Sequence, residues 1–367
     1  MKPVLFVTGH APAYRVGALA ALHEREGIEV ALFGGRSLHG GPQANGTLPF
    51  PHRHARPGEL ARLAGGGRYR AVVCPTGGRA SLLATWAGAR AGGAALLLWA
   101  SLWAHPRSAA HALSYVPLLR LYRSADAVVT YGPHVSAYVE RHGARNVHVA
   151  PQSVDNSFWR AAATSPPEAP GWPVAADCRF LFVGRPAPEK GLEVLLGAWH
   201  AAGAHERGAA LVLAGTGSSL PAAAGDAPGG LQAEGVLCLE TLAPEALRDV
   251  YAACEVLVVP SIPTATFREP WGLVVNEAMN RGLAVIASDA VGAAAGGLVR
   301  DGENGLVVPA GERGALAGAI ARLAGNPQLR AQMGATGLRD VDAYSHAAWA
   351  EGFSRALASV GLSRARW

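Results

Sequence analysis

Two glutamates separated by seven residues, Glu269 and Glu277, stand in the run Phe267-Arg268-Glu269-Pro270-Trp271-Gly272-Leu273-Val274-Val275-Asn276-Glu277-Ala278-Met279. Pro270 pushes Glu269 into an extended conformation and suits the first turn of a helix. The spacing therefore predicts a helix from Pro270, with Glu269 in the loop at its N-terminus and Glu277 about one and a half turns further in. Free N–H groups at such a start, here Gly272 and Leu273, favour an anion. A carboxylate one turn along can accept hydrogen bonds from a ribose diol. An ordinary helix with an acidic first turn would account for the same residues. A second run, Phe182-Val183-Gly184-Arg185-Pro186-Ala187-Pro188-Glu189-Lys190-Gly191-Leu192, places two cations after an apolar strand and before an amphipathic helix marked by Leu192, Leu195, Leu196 and Trp199. Arg185 offers a planar fork and Lys190 a point charge, which together suit a diphosphate. The bland alternative is a pair of solvated cations. Lys190 is one of only two lysines among 32 basic residues, the other being Lys2. Third, Gly215-Thr216-Gly217-Ser218 follows a buried strand, where glycines permit close approach of a phosphate or a base. Alone, this run reads as a plain turn.

The elements that must position these groups are legible as apolar runs. In the first half they are Val4–Thr8, Val30–Phe33, Ala71–Cys74, Ala94–Trp99, Ala127–Tyr131 and Val147–Ala150. In the second half they are Phe180–Val183, Ala210–Ala214, Val236–Leu239, Glu255–Val259, Ala284–Ala287 and Leu306–Val308. Continuous rather than alternating, they predict parallel strands buried on both faces. Helical stretches between them give an α/β fold of two Rossmann-like doubly wound domains. The proline-rich segment Ser165-Pro166-Pro167-Glu168-Ala169-Pro170-Gly171-Trp172-Pro173 can form neither a helix nor a central strand. The expected division is residues 1–155, a linker at 156–176, a second domain at 177–343 and a terminal helical segment at 344–367. Ser345 is its N-cap and Leu357 and Val360 its apolar face; topology would bring it back onto the first domain. Two such domains leave a cleft at the carboxyl ends of their sheets, where ligands bind.

Taken in order, the three runs resemble GT-B glycosyltransferases, in particular the retaining group called glycosyltransferase family 4. Further matches are Pro260-Ser261, Gly282-Leu283-Ala284-Val285-Ile286-Ala287-Ser288 and Asp301-Gly302-Glu303-Asn304-Gly305-Leu306-Val307-Val308. The resemblance implies a GT-B fold and hexosyl transfer from a nucleotide sugar to an acceptor hydroxyl, with retention. It implies donor contacts by Arg185, Lys190, Gly215, Gly217, Glu269, Gly272, Leu273 and Glu277, with Glu269, Arg185 and Lys190 also catalytic. Glu277 would bind the ribose, and the two cations would neutralise charge on the leaving diphosphate. Attack would come from the front face, with a leaving phosphate oxygen as base. In the first domain, Thr8-Gly9-His10-Ala11-Pro12-Ala13-Tyr14-Arg15 resembles an acceptor-side loop, although it departs from the Gly-Gly loop of many members. His10, Tyr14 and Arg15 would then be acceptor contacts, joined by Arg79 of Thr76-Gly77-Gly78-Arg79. His105, just past an apolar strand, resembles a histidine that in the family often contacts the donor sugar, and would be a fourth catalytic residue. No resident cofactor is implied; the donor, a UDP- or GDP-sugar, is a co-substrate. The acceptor would be a sugar, a lipid-linked molecule or a small molecule, and domain closure on donor binding is expected.

Competing readings are weaker. A glycoside hydrolase also pairs carboxylates but has no use for a diphosphate site. A dinucleotide-dependent dehydrogenase needs Gly-x-Gly-x-x-Gly after the first strand, which residues 4–20 lack. A GT-B nucleotide-sugar epimerase needs no acceptor. A degenerate nucleotide-sugar-binding protein shares the fold, but none of the main donor residues is missing.

Composition agrees with a folded two-domain chain: 367 residues, half hydrophobic and 16% charged. Its 46 glycines and 25 prolines show no period. The longest apolar run, Gly92–Ala104, is too short to span a bilayer. Met1-Lys2-Pro3-Val4 leads straight into a strand, so a leader segment is not expected. Cys74, Cys178, Cys238 and Cys254 are scattered and read as reduced residues of a cytoplasmic protein, which could work at the inner face of the membrane. Residues 1–155 carry 16 Lys and Arg against 7 Asp and Glu, and the remainder 16 against 20. A basic first half points to an anionic partner, a phosphorylated acceptor or a membrane surface, while nucleic acid is not expected without interleaved aromatics. Arg107–Arg123 mixes arginines with Leu, Tyr and Pro117 and could touch a membrane. Metal is not expected. Asp340-Val341-Asp342 is far in sequence from the donor motif, and His52-Arg53-His54 reads as a loop without further ligands.

Overall fold

The computed structural model describes residues 1–34, 48–163, 167, 169–217 and 234–364. The chain divides into two compact units, residues 1–155 with 344–367, and residues 156–343. The expected pair of Rossmann-like α/β domains is what the chain forms.

The first unit is built on a parallel seven-stranded sheet. Its elements are β1 (Val4–Thr8), α1 (Ala13–Glu26), β2 (Ile28–Leu32), β3 (His52–His54), α2 (Pro57–Gly65), β4 (Ala71–Pro75), α3 (Arg79–Gly92), β5 (Ala95–Ala100), α4 (Ala109–Ser124), β6 (Ala127–Thr130), α5 (Pro133–Arg141) and β7 (Val147–Val149). The strand order is β3-β2-β1-β4-β5-β6-β7. Period-two burial sorts the side chains. Val4, Phe6, Val73, Leu97 and Val129 face α1 and the C-terminal helix, His346–Ser359. Leu5, Val7, Val72, Cys74, Leu96 and Leu98 face α2 to α5. Proline at the first turn starts α2 and α5, and left-handed glycines at Gly27 and Gly93 end α1 and α3. The reading of His52-Arg53-His54 as a loop is corrected. These residues pair with Val30–Leu32 as a short edge strand whose side chains are all exposed, so no burial pattern betrays it.

The C-terminal segment belongs to the first unit. Ser345 Oγ accepts from the amide of Ala348 at 3.2 Å. Trp349 and Phe353 are fully buried against Phe6 and Trp99, with ring centroids 4.5–6.0 Å apart. The tail is clasped by a buried ion pair. Arg70 donates to Glu26 Oε2 at 2.7 Å and to the carbonyls of Leu362 and Lys2. Glu26 also accepts from Ser363 Oγ at 2.7 Å and from the amide of Arg364 at 2.8 Å. Residues 365–367 lie outside the described residues.

The second unit carries α6 (Asn156–Arg160), β8 (Cys178–Val183), α7 (Leu192–Ala202), β9 (Ala209–Ala214), β10 (Val236–Leu239), α8 (Pro244–Ala252), β11 (Val256–Val259), α9 (Val274–Asn280), β12 (Ala284–Ser288), α10 (Gly292–Ala295), β13 (Gly305–Val308), α11 (Arg313–Ala324) and α12 (Pro327–Asp340). Its parallel sheet runs β10-β9-β8-β11-β12-β13. The expected linker begins later than residue 156. Asn156–Arg160 is helical and docks on this unit, with Trp159 buried 5.5 Å edge-on from Tyr251 and its carbonyl bound by Arg281. Of the proline-rich run, Ser165, Pro166 and Glu168 lie outside the described residues. All four cysteines are free; Cys74, Cys178 and Cys254 are buried and Cys238 is half-buried. Among the described residues no helix is long and apolar enough to cross a membrane.

The Arg70–Glu26 pair makes a prediction. Arg70→Met leaves a buried carboxylate without its cation, and losing one partner of such a pair costs about 3–5 kcal/mol. A clearly lowered melting temperature is expected; a variant melting like the parent would contradict the clasp.

Candidate functional site

In each unit the strand order reverses once, between β1 and β4 and between β8 and β11. At such a point the loops leaving neighbouring strands diverge to opposite faces and open a crevice at their carboxyl ends. In the second unit those two loops hold Arg185, Lys190, Glu269, Gly272 and Leu273.

The loop after β8 turns through a single 3₁₀ turn, Pro188–Lys190, and enters α7 at Gly191. Gly191 has φ +68°, and a Cβ there would lie 2.0 Å from the Pro260 carbonyl oxygen. Only glycine allows this contact between the ends of β8 and β11. The same two loops are joined by the Ile262 amide donating to the Glu189 carbonyl at 3.0 Å. Lys190 Nζ then reaches Glu269 Oε2 at 2.6 Å. Glu269 is 8% exposed, whereas Arg185 is an exposed guanidinium held by Glu189 at 2.7 Å. An exposed pair of this kind is worth about 0–1 kcal/mol and is readily exchanged.

The glutamate helix starts later than the spacing predicts. Glu269 to Leu273 are not helical, α9 begins at Val274, and Glu277 falls in its first turn. The cause lies in tertiary hydrogen bonds. The amides of Gly292 and Ala293 donate to the carbonyls of Glu269 and Trp271, at 3.1 and 2.7 Å, which holds residues 269–271 against α10. Gly272 follows at φ +88°, outside the helical region. Trp271 Nε1 donates to Asn276 Oδ1 at 2.7 Å and closes the turn. Gly272 and Leu273 therefore precede the helix instead of lying inside it.

Glu277 accepts from the buried Tyr251 hydroxyl at 2.8 Å. Desolvation dominates its carboxyl and pushes its pKa up to about 7, against a smaller opposite effect of the tyrosine hydrogen bond. The Tyr251 phenol is itself pushed far up by burial and by Glu277. In the loop after β9, Gly215 and Gly217 both have positive φ, and their amides donate to the Leu239 carbonyl at 3.1 and 3.0 Å. A Cβ on Gly215 would lie 3.2 Å from the Gly184 carbonyl, so the glycine turn borders the Arg185 loop. Ser218 lies outside the described residues. Tyr251, Glu189 and Glu240, whose carboxylate faces Gly217, were not expected. Glu189 has a local signal, its i,i+4 spacing from Arg185. Tyr251 comes from a helix 26 residues before Glu277 and has none.

The first-unit candidates are dispersed around its sheet edge. Tyr14 is 44% exposed and Arg79 is exposed at the start of α3. His10 follows β1, its carbonyl accepting from Thr8 Oγ1 at 3.3 Å. Arg15 is instead turned inward. It is 5% exposed, its guanidinium lies 5.3–5.5 Å from the ring centres of Tyr14, Trp99 and Trp349, and it donates to Gln152 Oε1 at 2.5 Å. As placed, it supports aromatic packing rather than presenting charge to a ligand. His105 Nε2 lies 3.1 Å from the His111 carbonyl, which can only accept, so this nitrogen carries the proton. Its Nδ1 faces the Tyr138 hydroxyl at 3.4 Å, and Tyr115 packs edge-on at 4.7 Å. The aspartates of Asp340-Val341-Asp342 are held by Arg300 at 2.8 Å and Arg160 at 2.6 Å, a structural use of both.

Residues 177–326, within the second unit, match the family described as Glycosyl transferases group 1. Over 251 residues the chain is 32% identical to the D-inositol 3-phosphate glycosyltransferase of Nocardia farcinica, covering 62% of this chain and 53% of that relative. The chain thus spans about half the length of this curated relative. Two solved structures share the fold almost end to end. Sucrose-phosphate synthase from Thermosynechococcus elongatus superposes with a TM-score of 0.70 at 22% identity, covering 98% of this chain and 99% of that one. Anabaena HepE in complex with UDP and glucose gives 0.71 at 18% identity, covering 98% and 100%.

The Glu277 environment predicts a pH signature. Its folded pKa of about 7 lies above the ordinary 4.5, so the folded state binds the proton more tightly. The stability this group contributes is fully present below pH 4.5 and is lost as pH rises towards 7. Glu277→Gln should flatten that part of the stability–pH curve and raise stability at pH 8 relative to the parent. Denaturant unfolding across this range checks it, and identical curves would contradict the placement.

Proposed function

We propose that this chain is a retaining glycosyltransferase of the family 4 type, moving a hexosyl group from a nucleoside-diphosphate sugar to an acceptor hydroxyl. The observation that carries the reading is the meeting of Lys190 and Glu269 at 2.6 Å where the strand order reverses, with Arg185 on the same loop as Lys190. Two cations at the carboxyl edge of a sheet, each resting on a carboxylate, form a site for an anion that brings its own sugar hydroxyls. The match of residues 177–326 to Glycosyl transferases group 1 supports the same class.

In this reading Arg185 exchanges Glu189 for diphosphate oxygens, and Lys190 lies against the second phosphate. Glu269, released in part from Lys190, accepts from the sugar hydroxyls, and the Gly272 and Leu273 amides face the same group. Glu277 accepts from the ribose diol. Gly215 and Gly217 leave room for the nucleotide. The bond between the anomeric carbon and the leaving phosphate oxygen breaks as the acceptor oxygen bonds to that carbon from the same face. The acceptor proton passes to the leaving phosphate oxygen. The two cations stabilise the charge that develops there, which a preorganised site does without reorganisation. No step calls for a metal ion. The acceptor side is assigned to the first unit, where Tyr14 and Arg79 are exposed and His10 lies after β1. A UDP-sugar is the favoured donor, with a GDP-sugar next, since a fold neighbour is described in complex with UDP and glucose.

The reading is tested by nucleotide binding. A thermal-shift screen of UDP, GDP, ADP, CMP and dTDP, each with its common sugars, should give a clear rise in melting temperature with one base. Calorimetry should then show Lys190→Ala and Glu277→Ala each weakening that nucleotide by about tenfold or more, the scale of a charge-assisted hydrogen bond. Parental affinity in both variants would overturn the donor site.

A further inference from the structure

Between Glu59 on α2 and Asp126 before β6, the first unit has an unusual charge pattern. From Leu60 to Ala125 the chain holds eight arginines and no aspartate or glutamate. Two of them, Arg68 and Arg70, are taken by Glu29 and Glu26 on other elements. The remaining six, Arg62, Arg79, Arg90, Arg107, Arg120 and Arg123, are exposed.

α4 is apolar on both sides. Its inward face buries Leu121 in the core and packs Leu118 against the same cluster. Tyr115 packs edge-on at 4.7 Å from His105 and 5.7 Å from His142, and Tyr122 is buried. Its outward face carries Leu113, Val116, Pro117 and Arg120, at i, i+3, i+4 and i+7, the spacing of one helical stripe. Leu113 is 82% exposed and Val116 71%. The neighbouring α3, tied to α4 by Trp86 Nε1 donating to Ser124 Oγ at 3.2 Å, adds Leu83 at 45%. Solvent-facing aliphatics bordered by arginines, with no carboxylate in the whole stretch, fit a surface that is anionic outside and apolar beneath. A nucleic acid would match the charge but would leave Leu113 and Val116 without a counterpart. An acidic protein would need no two-thirds-exposed aliphatic pair standing clear of a groove.

We propose that the outward face of α4, with Leu113 and Val116 inserted and Arg107, Arg120 and Arg123 at headgroup level, docks this chain on an anionic lipid bilayer. Binding of this kind combines shallow apolar insertion with screened attraction, so it weakens with salt.

The test uses the full chain and sedimentation with vesicles of phosphatidylcholine, with or without phosphatidylglycerol. The parent should sediment with the phosphatidylglycerol vesicles only, and less as salt rises. Leu113→Ser with Val116→Ser should lower that binding by about tenfold or more, since two aliphatic side chains lose their insertion. Both positions are exposed, so the melting temperature should stay at the parental value, and the fold is checked that way. Arg107→Ser with Arg120→Ser should weaken binding and flatten its salt dependence. A parent that ignores phosphatidylglycerol vesicles overturns the proposal. So does a serine pair that binds them as the parent does, because the surface would then be a general polyanion site. Equal binding of duplex DNA and vesicles, indifferent to the serine pair, would overturn it in the same way.

Discussion

The second unit depends on the contact between the end of β8 and the end of β11. These strands are neighbours in space but are separated in sequence by β9, β10 and α8, so nothing local aligns their loops. Three interactions do. Gly191 lets the backbone touch the Pro260 carbonyl, the Ile262 amide reaches the Glu189 carbonyl, and the Lys190 ammonium meets Glu269. The first two fix where the loops pass and the third fixes what they present. A side chain at Gly191 would push the backbones apart and move Lys190 out of reach of Glu269, so the ionic contact rests on the steric one.

Much of this was legible from residue order. Continuous apolar runs marked twelve of the strands within a residue or two, because a parallel strand buried on both faces leaves little choice of side chain. The edge strand at His52 escaped because its side chains are all exposed and three polar residues carry no burial signal. The start of α9 escaped for a different reason. Pro270 satisfies every local rule for a first turn, but Gly292 and Ala293, more than twenty residues on, capture the carbonyls of Glu269 and Trp271 and keep that stretch out of the helix. Arg15 escaped because burial among Tyr14, Trp99 and Trp349 draws one ring from a distant strand and one from the far end of the chain. Local propensity holds where packing agrees with it and yields where tertiary hydrogen bonds or ring stacking offer more.

The two units use charge in opposite ways. In the second, the loop cations are met by carboxylates, Arg185 by Glu189 on its own loop and Lys190 by Glu269 on the neighbouring one. In the first, six arginines between Leu60 and Ala125 are exposed, while Glu26 and Glu29 pair with Arg70 and with Arg68 and Arg53. A paired cation waits for a ligand that can displace its carboxylate, so it selects for strong anions in a fixed geometry. An unpaired exposed cation attracts any extended negative surface at longer range, subject to salt.

Glu277 shows the same logic at the level of one proton. Among the described residues its carboxyl has a single donor, Tyr251, and desolvation outweighs that one bond, which leaves the group poised near neutrality. A ligand bringing two hydroxyls would supply the donors the carboxylate lacks, and each would favour the ionised form. Ligand binding and ionisation of Glu277 are then coupled: the proton leaves as the diol arrives, and affinity rises as pH passes through about 7. Tyr251 keeps this coupling directional. Its phenol holds its own proton far above neutral pH, so it donates to Glu277 in either protonation state and keeps the carboxyl facing one way. A buried glutamate that looks poorly solvated by itself is thus a reasonable partner for a diol, because the hydrogen bonds missing from its surroundings are those that the proposed ligand would bring.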